Sequence, residues 1–215
     1  MVNTIHFKGS WLHQFSEKQT KLEEFTIPGS PAVKVPMMNK TFLVNHLDND
    51  DFQLAQLPYK DNEVSMVIIL PNKKDGLAEV EKKLSPKLLQ QALAQAKMKN
   101  LQVSLPKFKV TERFNLVDEL KSLGMKDAFV AEVADFTGME DKVSRGQSLF
   151  ISKVIHKAFV EVNESGTEAA AVTLSIALSK GMASDFIVDH PFIFLIRENG
   201  SGSILFVGRI VDPTK

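Results

Sequence analysis

From Thr167 to Ser179 every second residue is small: Thr167, Ala169, Ala171, Thr173, Ser175, Ala177 and Ser179. The alternate set, Glu168, Ala170, Val172, Leu174, Ile176, Leu178 and Lys180, is mostly larger and apolar. A period of two is the strand period, so an extended segment here would present one uniformly small face. Ordinary half-buried strands put their large apolar groups on the buried face. A face of Thr, Ala and Ser suits a strand that must enter an already packed sheet without overpacking it. Gly166, just before the run, supplies a hinge with free φ. The same stretch contains Thr-Glu-Ala-Ala-Ala-Val, which is good helix material, and a plain flexible loop would also fit. The periodicity alone leaves these three readings open.

Elsewhere strand signals dominate. Val2 to Phe7, Phe25 to Pro28, Val33 to Pro36, Phe52 to Leu57 and Val64 to Leu70 are short β-prone runs broken by Gly, Pro or Asn/Asp clusters. Leu101 to Leu105 alternates and continues past Pro106 through Val110, and Phe150 to Val162 is a longer candidate. Phe192 to Ile196 and Ile204 to Val211 flank a polar Gly-rich turn and read as a hairpin. Three helices are expected: a short one capped by Asp75 or Gly76, one opened by Ser85-Pro86 and running to about Met98, and one from Leu116 to Leu123. Asn115 is expected to cap the last, with Gly124 at its C-terminal end. Many strands with a few clustered helices make an α+β fold, not a βαβ repeat. No linker or composition shift divides the 215 residues, so one domain is expected.

Composition narrows the function. Lys plus Arg equals Asp plus Glu, so no global field attracts nucleic acid or an anionic membrane. There is no cysteine, which removes disulfide scaffolds, thiolate-held zinc and thiol catalysis together. No apolar run is long enough to span a bilayer. The common nucleophile, zinc-protease, phosphate-loop and dinucleotide motifs are all missing. His46-Leu-Asp48-Asn-Asp50-Asp51 lacks the glycine and the bidentate Glu of a calcium loop and reads as a polar turn. His156, within an apolar strand, reads as a core histidine. Asn39, Asn163 and Asn199 each head an N-glycosylation triplet, which points towards an extracellular protein. These signals favour a protein that is not an enzyme.

The run Glu164-Ser-Gly166-Thr167-Glu168-Ala169-Ala170-Ala171-Val172-Thr173 resembles the hinge signature of inhibitory serpins. Asp189-His-Pro-Phe-Ile-Phe194 resembles the strand that follows the family's reactive loop, and Leu205-Phe-Val-Gly208-Arg209 resembles its C-terminal strand. Asn3-Thr-Ile-His-Phe7-Lys-Gly-Ser-Trp11 is similar to the central strand of the main sheet and its following turn. Val33 to Met38, Leu105-Pro-Lys107 and Ile155-His156-Lys-Ala158 fit as well. The resemblance runs from end to end. It implies that residues 1–215 are the C-terminal part of a single serpin domain, without the N-terminal helices and two main-sheet strands.

What the resemblance implies is an inhibitor that acts as a suicide substrate. The loop is offered to a serine protease, the protease acylates on the residue before the cut, and the freed hinge inserts into the main sheet and distorts the captured enzyme. Family spacing places the cut between Lys180 and Gly181, and a lysine there suits trypsin-like enzymes. Leu178 or Met182 would be read instead if the register slid. Glu164 and Lys107 resemble a salt-bridged pair at the top of the main sheet beside Trp11, and Asn3 and His156 resemble a hydrogen-bonded cluster where the sheet parts. Thr167 is expected in solvent before cleavage and buried early on insertion. No cofactor or metal is implied, no nucleic acid or membrane partner is expected, and the sequence assigns no glycosaminoglycan site. The alternative is a non-inhibitory member or an inactive truncated chain. Non-inhibitory members typically carry bulky, charged or proline residues in the hinge, a pattern that the small set Thr167, Ala169, Ala171 and Thr173 does not show.

Overall fold

The computed structural model describes residues 1–139, 149–167 and 184–215. Among them the strands are β1 Val2–His6, β2 Gly9–Ser10, β3 Lys21–Phe25, β4 Val33–Asp48, β5 Phe52–Pro58, β6 Val64–Pro71, β7 Lys97–Pro106, β8 Phe108–Asn115, β9 Ile155–Val162, β10 Gly166–Thr167, β11 Ser184–Ile187, β12 Phe192–Glu198 and β13 Ile204–Ile210. The α-helices are α1 Leu77–Lys83, α2 Pro86–Gln95 and α3 Val117–Ser122. Strands outnumber helices without βαβ alternation, which is the α+β class. The chain divides into two compact units, Met1–Phe7 with Val110–Val160, and Lys8–Lys109 with Glu161–Lys215.

The first unit holds a three-stranded sheet in the order β1-β9-β8. β1 and β9 pair directly and in parallel, from Val2 opposite Ile155 to His6 opposite Phe159. The His6 ring meets Phe159 edge-on at 5.0 Å. Helix α3 begins at Val117 with Leu116 at the N-cap position, one residue later than expected, and the Asn115 side chain instead accepts a bond from Val154 N–H at 3.4 Å. Gly124, at φ 101°, takes the left-handed position after the helix that disfavours other residues.

The second unit is built on a large mixed sheet ordered β11-β7-β4-β5-β6-β12-β13, with β3 also paired to β4. β4 is far longer than the expected Val33 to Pro36 strand because it changes partners along its length. Its start pairs β3, Met37 to His46 pairs β7, and Asn45 to Asp48 pairs β5. The expected strand at Phe25 to Pro28 is instead the end of β3, which stops at Phe25. The Leu101 to Val110 run is two strands divided at Lys107, and β9 starts at Ile155 rather than Phe150.

One face of this sheet is closed by α1 and α2. Phe52, Leu54, Val67, Ile69, Ile193 and Leu195 from β5, β6 and β12 pack with Val80, Leu89 and Ala92 from the helices. Burying such a side chain fully contributes roughly 1.5–3 kcal/mol. Ser85 Oγ caps α2 by accepting from Leu88 N–H at 3.2 Å, with Pro86 at the first helical position. The helix stops at Gln95, short of Met98, because Lys97 already belongs to β7. Gly208 in β13 lies opposite Phe194, whose ring would stand 2.7 Å from a Cβ there.

Candidate functional site

The segment that leads into the small-residue run begins as a tight turn at the end of β9. Asn163 N–H donates to Gly166 O at 2.9 Å, Gly166 N–H returns a bond to Asn163 O at 3.1 Å, and Asn163 Oδ1 accepts from Ser165 N–H at 3.0 Å. A short amide side chain bonding its own backbone two residues on is what makes Asn effective in such turns. Gly166 has φ 137°, and a Cβ on it would lie 2.2 Å from Gly9 O and 2.7 Å from both Ser10 Cα and Trp11 N. Glycine is therefore required twice, by conformation and by the closeness of β2. The turn delivers β10 antiparallel to β2, with Gly166 opposite Ser10 and Thr167 opposite Gly9.

Aromatic rings and hydrogen bonds pin this turn from below. Trp11, 3% exposed, donates from Nε1 to Asn163 O at 2.9 Å and from its backbone N–H to Ser165 O at 3.0 Å. Its ring stacks on Tyr59 at 4.5 Å with 9° between planes. Phe15 N–H donates to Glu164 O at 2.9 Å.

Glu164 is 7% exposed, and its carboxylate has two partners: Lys107 Nζ lies 2.8 Å from Oε2, and Thr20 Oγ1 donates to Oε1 at 2.8 Å. Burial on its own pushes this carboxyl up. The bonds from Lys107, the backbone and Thr20, with the lysine charge, outweigh it and hold the group below the ordinary Glu range. An ionised, nearly buried carboxylate with both oxygens satisfied is an anchor: removing either partner would strand a charge.

Thr167 is fully buried. The expectation that it stands in solvent is therefore corrected: β10 seats it against β2, and its Oγ1 is hydrogen-bonded to Tyr59 Oη at 2.9 Å. Asn3 and His156 are register partners in the parallel β1–β9 pair, but no side-chain bond joins them among the described residues. The Asn3 side chain is exposed rather than turned into a cluster. Glu168, Ala169, Ala170, Ala171, Val172, Thr173 and the Lys180-Gly181 bond lie outside the described residues.

Two members of the site, Thr20 and Tyr59, carry no sequence signal. They sit 144 and 108 positions from their hinge partners, and only the fold brings them together. Asn39 and Asn199 both use their amide nitrogens inward, Asn39 on Glu23 Oε1 at 3.0 Å and Met37 O at 3.1 Å, Asn199 on Asn62 O at 2.8 Å and Ser65 Oγ at 2.9 Å. Among the described residues no group of three or more His, Asp or Glu side chains is gathered to hold a metal ion. None of the helices described is long and apolar enough to cross a membrane.

Comparison with known proteins gives this arrangement a context. The family model described as Serpin (serine protease inhibitor) matches residues 1–213. Serpin-ZXA of Oryza sativa subsp. japonica is 41% identical over 219 residues, covering 98% of this chain and 55% of that protein. The leukocyte elastase inhibitor of Homo sapiens is 40% identical over 226 residues, covering 99% of this chain and 58% of its own length. Human thyroxine-binding globulin superposes with a TM-score of 0.86 at 30% identity, over 100% of this chain and 56% of that one. Uncleaved ovalbumin superposes with a TM-score of 0.83 at 29% identity, over 99% and 53%. The chain thus spans little more than half the length of the relatives it matches.

Proposed function

The chain belongs to the serpin family, a family of serine protease inhibitors, and from that membership we propose that the protein carrying it traps a trypsin-like serine protease as a suicide substrate cleaved at Lys180-Gly181. The observation that carries the reading is the seat of Thr167. The first residue of the small-residue alternation is held, buried, at the end of a turn anchored through Glu164, Trp11 and Gly166.

In this reading residues 168–183 present the bait bond. The hinge, from Glu164 through Gly166, Thr167, Glu168 and Ala169 to Thr173, then enters the sheet of β1 and β9, and its small side chains let it fit without overpacking. Insertion adds ladder hydrogen bonds, so the uncleaved state persists kinetically rather than as the lowest state. Deacylation fails because the captured enzyme loses its oxyanion and base geometry. Lys107 and Trp11 control the hinge, and Asn3 and His156 the parting of the sheet.

The alternative is a non-inhibitory member or an inactive truncated chain. The small, uncharged inward set Thr167, Ala169, Ala171 and Thr173 weighs against the first. Secretion with N-glycans belongs to the same proposal. A glycan on Asn39 or Asn199 would have to replace the inward bonds of that amide, and one on Asn163 would stand beside the hinge and impede its insertion.

The test is to incubate the complete protein with trypsin. We expect a complex that survives denaturing electrophoresis and a released peptide beginning at Gly181. Simple cleavage without a trapped complex would refute inhibition, and a peptide starting elsewhere would refute the bond assignment. An N-glycanase mass shift on native material checks the glycans, and no shift refutes them.

A further inference from the structure

The buried bond between Tyr59 and Thr167 lies outside the ion-pair anchor at Glu164. We propose that the Tyr59 hydroxyl is a positioning latch that holds the first hinge residue down before cleavage and sets the rate at which the hinge leaves β2. This rests on the inhibitory reading for its consequence, though not for its measurement.

Three features make Tyr59 a rigid latch. It follows β5 directly, and its backbone N–H donates to Val64 O at 2.9 Å, closing the turn into β6. Leu12 N–H donates to Pro58 O at 3.0 Å, tying the same point to the chain just after Trp11. Its ring is held by the stack on Trp11, and the residue is 3% exposed. A hydroxyl on so fixed a ring has little freedom to follow Thr167, so the 2.9 Å bond must break when Thr167 moves. Burial pushes the phenol well above the ordinary tyrosine range, against a smaller opposing effect of the bond to Thr167. The hydroxyl is therefore protonated at neutral and acid pH. The ion pair at Glu164 weakens in acid; this latch does not.

Ring and hydroxyl are separable. Tyr59→Phe keeps the stack and removes only the oxygen, and Thr167→Val is the isosteric removal on the other side. Either variant removes the bond between the two hydroxyls, so the seated state is raised and opening becomes easier.

The experiment is amide hydrogen exchange of residues 163–167 in the complete, uncleaved protein without protease. Each single variant is expected to exchange about tenfold faster there, which corresponds to ~1.4 kcal/mol. The double variant should exchange no faster than the faster single, since both remove one bond. Unchanged exchange in Tyr59→Phe overturns the latch, because a role confined to packing under Trp11 is preserved by Phe. Additive effects of the two substitutions overturn it as well. Trapping of trypsin by the wild type is scored separately. A wild type that traps nothing overturns the inhibitory reading, while the latch is still decided by exchange.

Discussion

Replacing Gly166 with alanine is the most direct probe of the hinge turn. The new Cβ would start 2.2 Å from Gly9 O, where no real Cβ contact exists, and its other close neighbours, Ser10 Cα and Trp11 N at 2.7 Å, are also backbone. No flexible side chain is available to yield, so β10 must lift from β2. The residue would also sit at φ 137°, a conformation that costs a non-glycine residue about 1–3 kcal/mol. Lifting β10 gives up the Trp11 N–H bond to Ser165 O and the Tyr59 bond to Thr167, each contributing about 1 kcal/mol net. Lifting relieves the clash and the backbone strain together, so the two lost bonds set the expected destabilisation at about 2 kcal/mol. Urea unfolding of the complete protein measures it, and emission from Trp11, whose ring rests on Tyr59, reports the local loss of packing. A Gly166→Ala protein within about 0.5 kcal/mol of wild type, the range of an ordinary surface change, with unaltered Trp11 emission, would refute the claim that this turn admits only glycine.

Thr167→Arg should undock β10 even before cleavage. Burying an unpaired guanidinium costs several kcal/mol, more than losing the two-residue strand, so the arginine goes to solvent. The variant should fold and be cleaved by trypsin but consume many molecules per enzyme trapped; a stoichiometry equal to wild type would show that the hinge does not insert from this end. Acidification should act in two steps. Burial, with the charge of Lys99 adding to it, holds His46 below the ordinary histidine value despite its bond to Gln53, and its Nδ1 has no partner among the described residues. A depressed histidine stabilises the fold above its unfolded pKa of about 6.5, and that contribution is lost as pH falls through the folded value. Glu164 is also depressed, so its share is present above about pH 4.3 and is lost at more acid pH. Urea midpoints for wild type and His46→Gln at pH 7.5 and 5 should converge at the lower pH; a constant gap would refute the histidine step.

The sequence exposed most of the architecture wherever one strand meets one pair of partners. β5, β6, β12 and β13 have compact apolar runs bounded by turn residues, and their ends fall within two residues of expectation. β4 was legible only at its start. Its buried positions are interrupted by Asn39, Lys40 and Asn45, and its three successive partners impose no single periodicity. Helix α3 was placed to within a residue but its cap was not, and the Asn115 side chain bonds 39 positions away instead. At the site the hinge could be read from Glu164, Gly166 and the small-residue alternation. Gly166 carried its signal because a free φ is a local property. Thr20 and Tyr59 could not be read, since a lone hydroxyl has no pattern and their roles exist only once distant segments meet. The buried state of Thr167 was missed for the same reason, as its seat is formed by β2 and Tyr59.

The pairing of β6 with β12 has a consequence for how the chain is made. Ile69 lies opposite Ile193, and the residues Met66 to Ile69 in the middle of β6 have no exposed surface once β12 is in place. β6 emerges from the ribosome more than a hundred residues before the strand that covers its second edge. During that interval it can pair with β5, its near neighbour, but presents an apolar edge on the other side. Contacts of such long sequence separation form slowly, and an open hydrophobic edge invites other chains. Synthesis that stalls before Phe192 should therefore yield a product that aggregates through β6, and the residues from Phe192 onward decide whether the nascent chain stays single.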